Sequence, residues 1–313
     1  MYDLRQLRRA LDQPRLLVRE LNRLYHTRLN RRAYNPDGVD IVAEDWDTLV
    51  ILDACRYDAF AARSDLPGTL ERRRSRGSMT AEFLKANFDG REMHDTVYVT
   101  ATPMFYWNRN RGDVDATFHA EINVWQDEGW DDEFHTVRPE TMVERAKAAA
   151  EQYPDKRLLV HFVQPHFPAI GPTGHEYPEL NSLRVWDAID SNDLDLPDSV
   201  YRKAFVENLD AVLPHVRDLM ESIEGKTVVT ADHGQMLGER SFPIPLREYG
   251  HPPGIYTDEL LSVPWLTYTN GPRRKVVAEE PETCVRGDET GPQDMAVEES
   301  VVTDRLEDLG YLG

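Results

Sequence analysis

The chain has 313 residues and carries 56 acidic against 36 basic side chains, a formal net charge of −20; that length suits one large α/β domain or two ordinary ones. Such an acidic excess keeps a protein soluble at high salt, a device of halophiles, and it excludes a general nucleic-acid partner, which needs a basic footprint. Two cysteines, Cys55 and Cys284, exclude a disulfide framework or a CxxC metal knot. No apolar run approaches the ~20 residues of a membrane span, and the start is too charged for a secretory leader, so the expected location is the cytoplasm.

Residues 1–33 stand apart from the rest. They hold nine arginines against Asp3, Asp12 and Glu20, a net +6 that leaves −26 on the remainder. Leu4, Leu7 and Leu11, then Leu17, Leu21 and Leu24, fall at helical spacing, and Pro14 starts a second helix or kinks the first. Two readings stay open. A basic amphipathic helix can lie on an anionic membrane surface. Alternatively the leucines pack on the body while the arginines face its acidic surface, and this is the expectation adopted. The chain then divides into a basic helical segment, 1–33, and one α/β unit, 34–313.

After an Asn-Pro-Asp-Gly turn signal, Thr48 to Leu52 reads as a buried strand that ends in Asp53, with Arg56 and Asp58 within the next turn. Residues 71–84, ERRRSRGSMTAEFL, place Ser75, Ser78 and Thr80 around Gly77 just before an apolar helix pattern. Thr80 can be a helix N-cap; equally, a hydroxyl at a helix N-terminus sits where backbone N–H groups favour an anion. Arg72, Arg73, Arg74 and Arg76 make this the basic island of the body. Residues 95–101 read as a strand. Residues 102–136 show no clear period and are rich in aromatics, which suits a loop anchored to the core or a substrate loop.

A helix from Pro139 to Tyr153 and a strand from Arg157 to Val163 come next, then Gln164-Pro-His166-Phe-Pro168, an imidazole between two prolines just past a strand end. His161, inside that strand, reads as a satisfied core histidine. Residues 171–197 read as a long loop or lid, and residues 198–223 as a long amphipathic helix. Residues 226–240, KTVVTADHGQMLGER, are a β-branched strand that stops at Asp232-His233-Gly234. An acid and an imidazole at a strand's carboxyl end are what a metal site in an α/β sheet needs, because ligands gather outside those ends. His251 precedes another apolar strand; residues 278–297 are acidic and turn-rich; residues 301–309 read as a final helix.

Taken together, the strand-DACRYD start, the QPHFP strand end, TVVTADHGQMLGER, the later histidine before ELLSVPWL, and the closing RLEDLGYLG resemble the sulfatase-like branch of the alkaline phosphatase superfamily, of an archaeal or halophile type. The resemblance implies a three-layer αβα sandwich around a central, mostly parallel sheet. It implies Asp53, Asp232 and His233 as ligands of one divalent metal ion (Zn, Mn, Mg or Ca), with a second ion left open because no aspartate lies between His166 and His175. It places His166 and His251 at the substrate oxygens or leaving group, Arg56 and Arg76 at the substrate, and the nucleophile in Gly77-Ser-Met-Thr80, with Ser78 first and Thr80 second. Ser78-Met-Thr-Ala-Glu82 has neither the proline nor the arginine of a formylglycine motif, so an unmodified hydroxyl is expected. The implied activity is hydrolysis or transfer of a phosphate or sulfate ester on a small molecule or glycan. The rival is a catalytically inactive protein of the same fold that docks on glycan or membrane machinery.

Overall fold

Strand order follows from which segments are apolar on both faces. The computed structural model describes residues 14–126, 129–181, 185–191, 193–281, 299–309 and 311. Five strands run parallel: β1 (Thr48–Leu52), β3 (Arg91–Thr100), β4 (Ala116–Asn123), β7 (Arg157–Phe162) and β8 (Gly225–Thr230). Strands β1 and β8 are β-branched or leucine-rich and almost wholly buried, as strands covered on both sides must be. They sit mid-sheet, in the order β2-β11-β8-β1-β7-β3-β4. Strand β11 (Ser262–Asn270) runs antiparallel to β8, and β2 (Thr69–Arg74) closes that edge. Two further pairs stand outside this sheet, β5 with β6 (Trp130–Asp131, Thr136–Val137) and β9 with β10 (Met236–Arg240, Arg247–Gly250).

Helices flank the sheet. Numbered after α1 (Pro14–His26), α3 (Thr80–Phe88) and α4 (Met104–Asn110) bring Phe83, Phe88 and Phe105 against Tyr98 and Phe118, with ring centroids 4.9–6.2 Å apart. Helices α2 (Tyr57–Arg63), α5 (Pro139–Gln152) and α8 (Asp198–Ser222) pack together; Val212, Val216 and Leu219 of α8 and Met142 and Ala146 of α5 are buried in the common core. The mostly parallel sheet between helices is the expected α/β architecture.

Several local expectations change. The aromatic stretch 102–136 is not irregular: it contains α4 and β4, and Phe105 and Trp125 are buried core residues. The basic island includes an edge strand, β2, whose Arg72 and Arg74 both pair with Asp258. Charged edge strands are a common guard against edge-to-edge pairing. The expected lid, 171–197, is packed: Leu180, Val185 and Ile189 join Phe167, Tyr201 and Phe205 in a second apolar cluster. Most of residues 278–297 lies outside the described residues, as does Cys284.

The basic N-terminal helix reverses its expected face. Residues 1–13 lie outside the described residues. Helix α1 docks through polar groups: Asn22, its buried residue, hydrogen-bonds Ser241 Oγ at 2.9 Å and the Ile244 carbonyl at 2.8 Å, and Arg19 pairs with the buried Glu248 at 2.5 Å. Leu17 and Leu21 face solvent. Leu17 and Leu21 therefore do not clamp the body, because the groups that α1 meets there, Glu248 and Ser241, are polar; Leu4, Leu7 and Leu11 lie outside the described residues.

Candidate active site

Three parallel strands converge on one edge of the sheet. The main chain past β1 places Asp53, fully buried, and Ala54 then turns with φ +61°. That left-handed turn costs an L-residue on the order of 1 kcal/mol, and it aims the Ala54 N–H at Asp232 Oδ1, 3.0 Å away. Asp232 Oδ1 also accepts from the His233 N–H at 2.8 Å. Both of its bonds thus fall on one oxygen, leaving Oδ2 turned inward. Gly234 is required for space rather than for turning: a Cβ there would collide with the Glu259 carbonyl.

The His233 ring is oriented by its Nδ1, 2.8 Å from the Gly234 carbonyl. A carbonyl only accepts, so Nδ1 carries the proton and Nε2 presents a lone pair. That Nε2 lies 3.2 Å from Asp232 Oδ2 and 3.5 Å from Asp53 Oδ1. Asp53 Oδ1, His161 Nε2 and Asp232 Oδ2 have no hydrogen-bond partner among the described residues. Asp53, His161 and Asp232 offer ligand atoms all within 4.8 Å of one another. Two buried carboxylates facing each other raise the energy of the doubly charged state, and Asp53 is held well above the usual carboxylate range, first by burial and then by Asp232. Buried, unpaired donor atoms of this kind fit a divalent cation.

The sequence reads His161 as satisfied, and the structure corrects this. Its Nδ1 does lie 2.9 Å from the Tyr98 hydroxyl, but its Nε2 is 4.0 Å from Asp232 Oδ2. Burial lowers its pKa to about 4, so the ring is neutral and able to donate a lone pair to a metal.

Thr80 opens α3, and its hydroxyl sits 3.2 Å from His233 Nε2. Ser78 points elsewhere. Its hydroxyl lies 2.9 Å from Glu82 Oε2 and 3.2 Å from the Pro252 carbonyl, and accepts from the Gly254 N–H at 2.9 Å; its own N–H donates to Glu82 at 3.0 Å. Gly254 adopts φ +68°, a turn that favours glycine. The Ser78 hydroxyl is therefore committed to holding the helix entry against the Pro252–Gly254 loop.

His166 and His251 meet beside His233. Their ring centroids are 4.9 Å apart, and His251 lies 4.8 Å from His233. Asn208 on α8 fixes the His166 turn, donating to the His166 carbonyl at 3.0 Å and the Pro168 carbonyl at 2.9 Å. His166 Nε2 and His251 Nδ1 have no partner among the described residues. Burial pushes the His166 pKa down to about 4 and that of His251 well below the usual value, so both are neutral near pH 7.

Arg56 and Arg76 are each engaged by protein partners. Arg56 is held by Asp58 at 2.6 Å, Glu239 at 2.6 Å and the Gln235 carbonyl at 3.1 Å. Arg76 reaches the Ala86 carbonyl and Asp40. His175 is exposed, its ring against Phe134. In contrast, the far end of the chain supplies a residue with no expected role. After α10 (Glu299–Asp308), Tyr311 donates its hydroxyl to Asp53 Oδ2 and stacks on His166, with centroids 5.3 Å apart at 20°.

Comparisons with known proteins give shape alone. No family model matches the chain, and no curated protein sequence matches it. Among solved structures, the zinc complex of the C-terminal periplasmic domain of EcEptC from Escherichia coli is similar at TM-score 0.46 and 13% identity, over 75% of this chain and 77% of that one. An alkaline phosphatase superfamily protein from Vibrio parahaemolyticus is similar at TM-score 0.43 and 14% identity, over 79% of this chain and 64% of that one. The 2-O GAG sulfatase BT1596 is similar at TM-score 0.43 and 12% identity, over 72% and 64%. At those values the likenesses carry no argument about activity.

Proposed function

We propose that the chain is a metal-dependent hydrolase or transferase of a phosphate or sulfate ester, with Thr80 as the nucleophile. One observation carries the reading: the Thr80 hydroxyl lies 3.2 Å from His233 Nε2, beside the unpaired inward oxygens of Asp53 and Asp232. Asp53, Asp232 and His233 would hold the ion, with His161 as a further ligand, and two carboxylates with imidazole suit Zn or Mn. When bound, such an ion neutralises an ester's anionic oxygens and lowers the pKa of a neighbouring hydroxyl.

The chain's own residues do the rest. Thr80 Oγ1 forms a bond to phosphorus or sulfur as the bridging ester oxygen departs. The hydroxyl proton passes to Nε2 of His166 or Nδ1 of His251, both unpaired and neutral, and from there to the departing oxygen. Water then completes a hydrolysis and an alcohol a transfer. The test is the chain loaded with Zn or Mn and assayed at high salt on aryl phosphates, phosphodiesters and sulfate esters. Turnover of at least one ester, stopped by chelation and restored by metal, is expected. Metal bound with no ester consumed assigns the inactive binding protein instead.

Tyr311 has a positioning role under this proposal. By occupying Asp53 Oδ2 it leaves Oδ1 as the ligand atom, and outer partners of this kind are worth about 10–100-fold in metal affinity. Tyr311→Phe keeps the ring on His166 and removes the hydroxyl alone. Its zinc affinity, by competition with a chelating dye, is expected to fall by roughly that factor; unchanged affinity removes the role.

A further inference from the structure

We infer that α1 and the tip of the β9–β10 hairpin form a docking surface for an anionic lipid bilayer. The helix has two faces at helical spacing. Arg19, Asn22 and His26 face the body, where Arg19 meets Glu248, Asn22 meets Ser241 and Ile244, and His26 Nε2 lies 2.7 Å from the Phe242 carbonyl. Leu17, Leu21 and Tyr25, four residues apart, lie on the other face and are 45%, 54% and 44% exposed. Leu29 continues them at 71%, presented by three successive left-handed residues, Arg28, Leu29 and Asn30, with φ 52–63°.

The hairpin tip extends the patch. Phe242 is 57% exposed and Ile244 40%, and the Phe242 ring meets Tyr25 edge-on at 5.7 Å. These six are among the exposed large apolar side chains of the described residues; Leu17, Leu21 and Tyr25 share one helix face, and the hairpin tip meets the helix at Tyr25 through Phe242 and at Asn22 through Ile244. A contiguous apolar patch of this kind marks an interaction surface. Charge selects the partner. Arg28, whose guanidinium lies 5.5 Å from the Tyr25 ring centre, and Arg31 are exposed at its margin. Residues 14–33 hold six arginines against Glu20 alone, on a chain of net charge −20. Apolar side chains with Arg28 and Arg31 exposed beside them match an anionic headgroup layer over hydrocarbon, whereas the acidic remainder of the protein would be repelled by it.

The surface also lies next to the site. Arg23 and Thr27 of this segment pack against Gly254, whose N–H holds Ser78 and which follows His251 by three residues. The surface itself stands on exposure and charge and does not depend on the proposed chemistry.

Flotation of the full chain with phosphatidylglycerol vesicles in moderate salt, and with phosphatidylcholine vesicles as the neutral control, tests the inference. Binding to the anionic vesicles alone is expected. Leu17→Glu/Leu21→Glu should lower the partition coefficient by about tenfold or more, and Arg28→Ala/Arg31→Ala by about fivefold per arginine, both with unchanged melting temperature. No flotation of the wild-type chain overturns the inference. So does a wild-type dimer that Leu17→Glu/Leu21→Glu disperses, which gives the face to a second copy. A lower melting temperature in that variant without wild-type flotation gives it to residues 1–13 and overturns the inference equally.

Discussion

Thr80→Ala is expected to end turnover, with kcat falling by about 10⁴-fold or more, as when a covalent nucleophile is removed, while metal content stays at the wild-type level. Ser78→Ala is expected to keep kcat within about an order of magnitude and to lose instead on the order of 1–3 kcal/mol of stability, because the half-buried Glu82 carboxylate and the Gly254 N–H each lose a partner. The pair separates chemistry from architecture at two hydroxyls two residues apart. Single-turnover kinetics and thermal melting of both variants decide it. An inactive, fully folded Ser78→Ala beside an active Thr80→Ala moves the nucleophile to residue 78.

The chelated Asp53→Asn variant is expected to melt above the chelated wild type while no longer being stabilised by metal. Burial and the facing Asp232 raise the Asp53 pKa in the folded state. As pH rises from the ordinary carboxylate range toward that raised value, the unfolded chain has released the proton and the folded one still holds it. The folded state binds more protons there, so stability falls across this window. Asparagine removes the titration, still accepts from Tyr311, and can donate to His233 Nε2, 3.5 Å from Asp53 Oδ1. Each pH unit of that window is worth about 1.4 kcal/mol, so the gain should be visible as several degrees in melting temperature. The gap should close as pH falls below the ordinary carboxylate value, where the wild-type carboxyl is protonated in both states. A chelated Asp53→Asn that melts below wild type at pH 7 contradicts a site built for a cation.

The strand ends were the legible part of this chain. Asp53, Asp232, His233 and His166 each follow an apolar run, and parallel topology alone brings such residues to one edge. His161 was hidden because a buried histidine inside RLLVHFV looks the same whether its far nitrogen is satisfied or not; only the 4.0 Å approach to Asp232 distinguishes them. The Ser78 hydroxyl is held by Gly254, 176 residues away, and no local pattern carries that contact. Tyr311 lies 258 residues from Asp53, so RLEDLGYLG could be noticed as a motif without revealing a role. The reversed face of α1 has the same origin: helical spacing defines an apolar stripe, but the polar partners Glu248 and Ser241 decide which side docks. Strand β2 was missed since four of its six residues, Glu71 to Arg74, are charged and unalternating, and pairing with β11 supplies the order.

Metal content is the most direct test of the central claim. Wild-type chain and Asp232→Asn, each stripped, reloaded with zinc, dialysed and measured by elemental analysis, should give about one ion per wild-type chain, in line with a site whose ligands are fixed by the fold, and none in the variant, with the same circular dichroism spectrum for both. Equal zinc in the two proteins, or none in the wild type, would contradict the account.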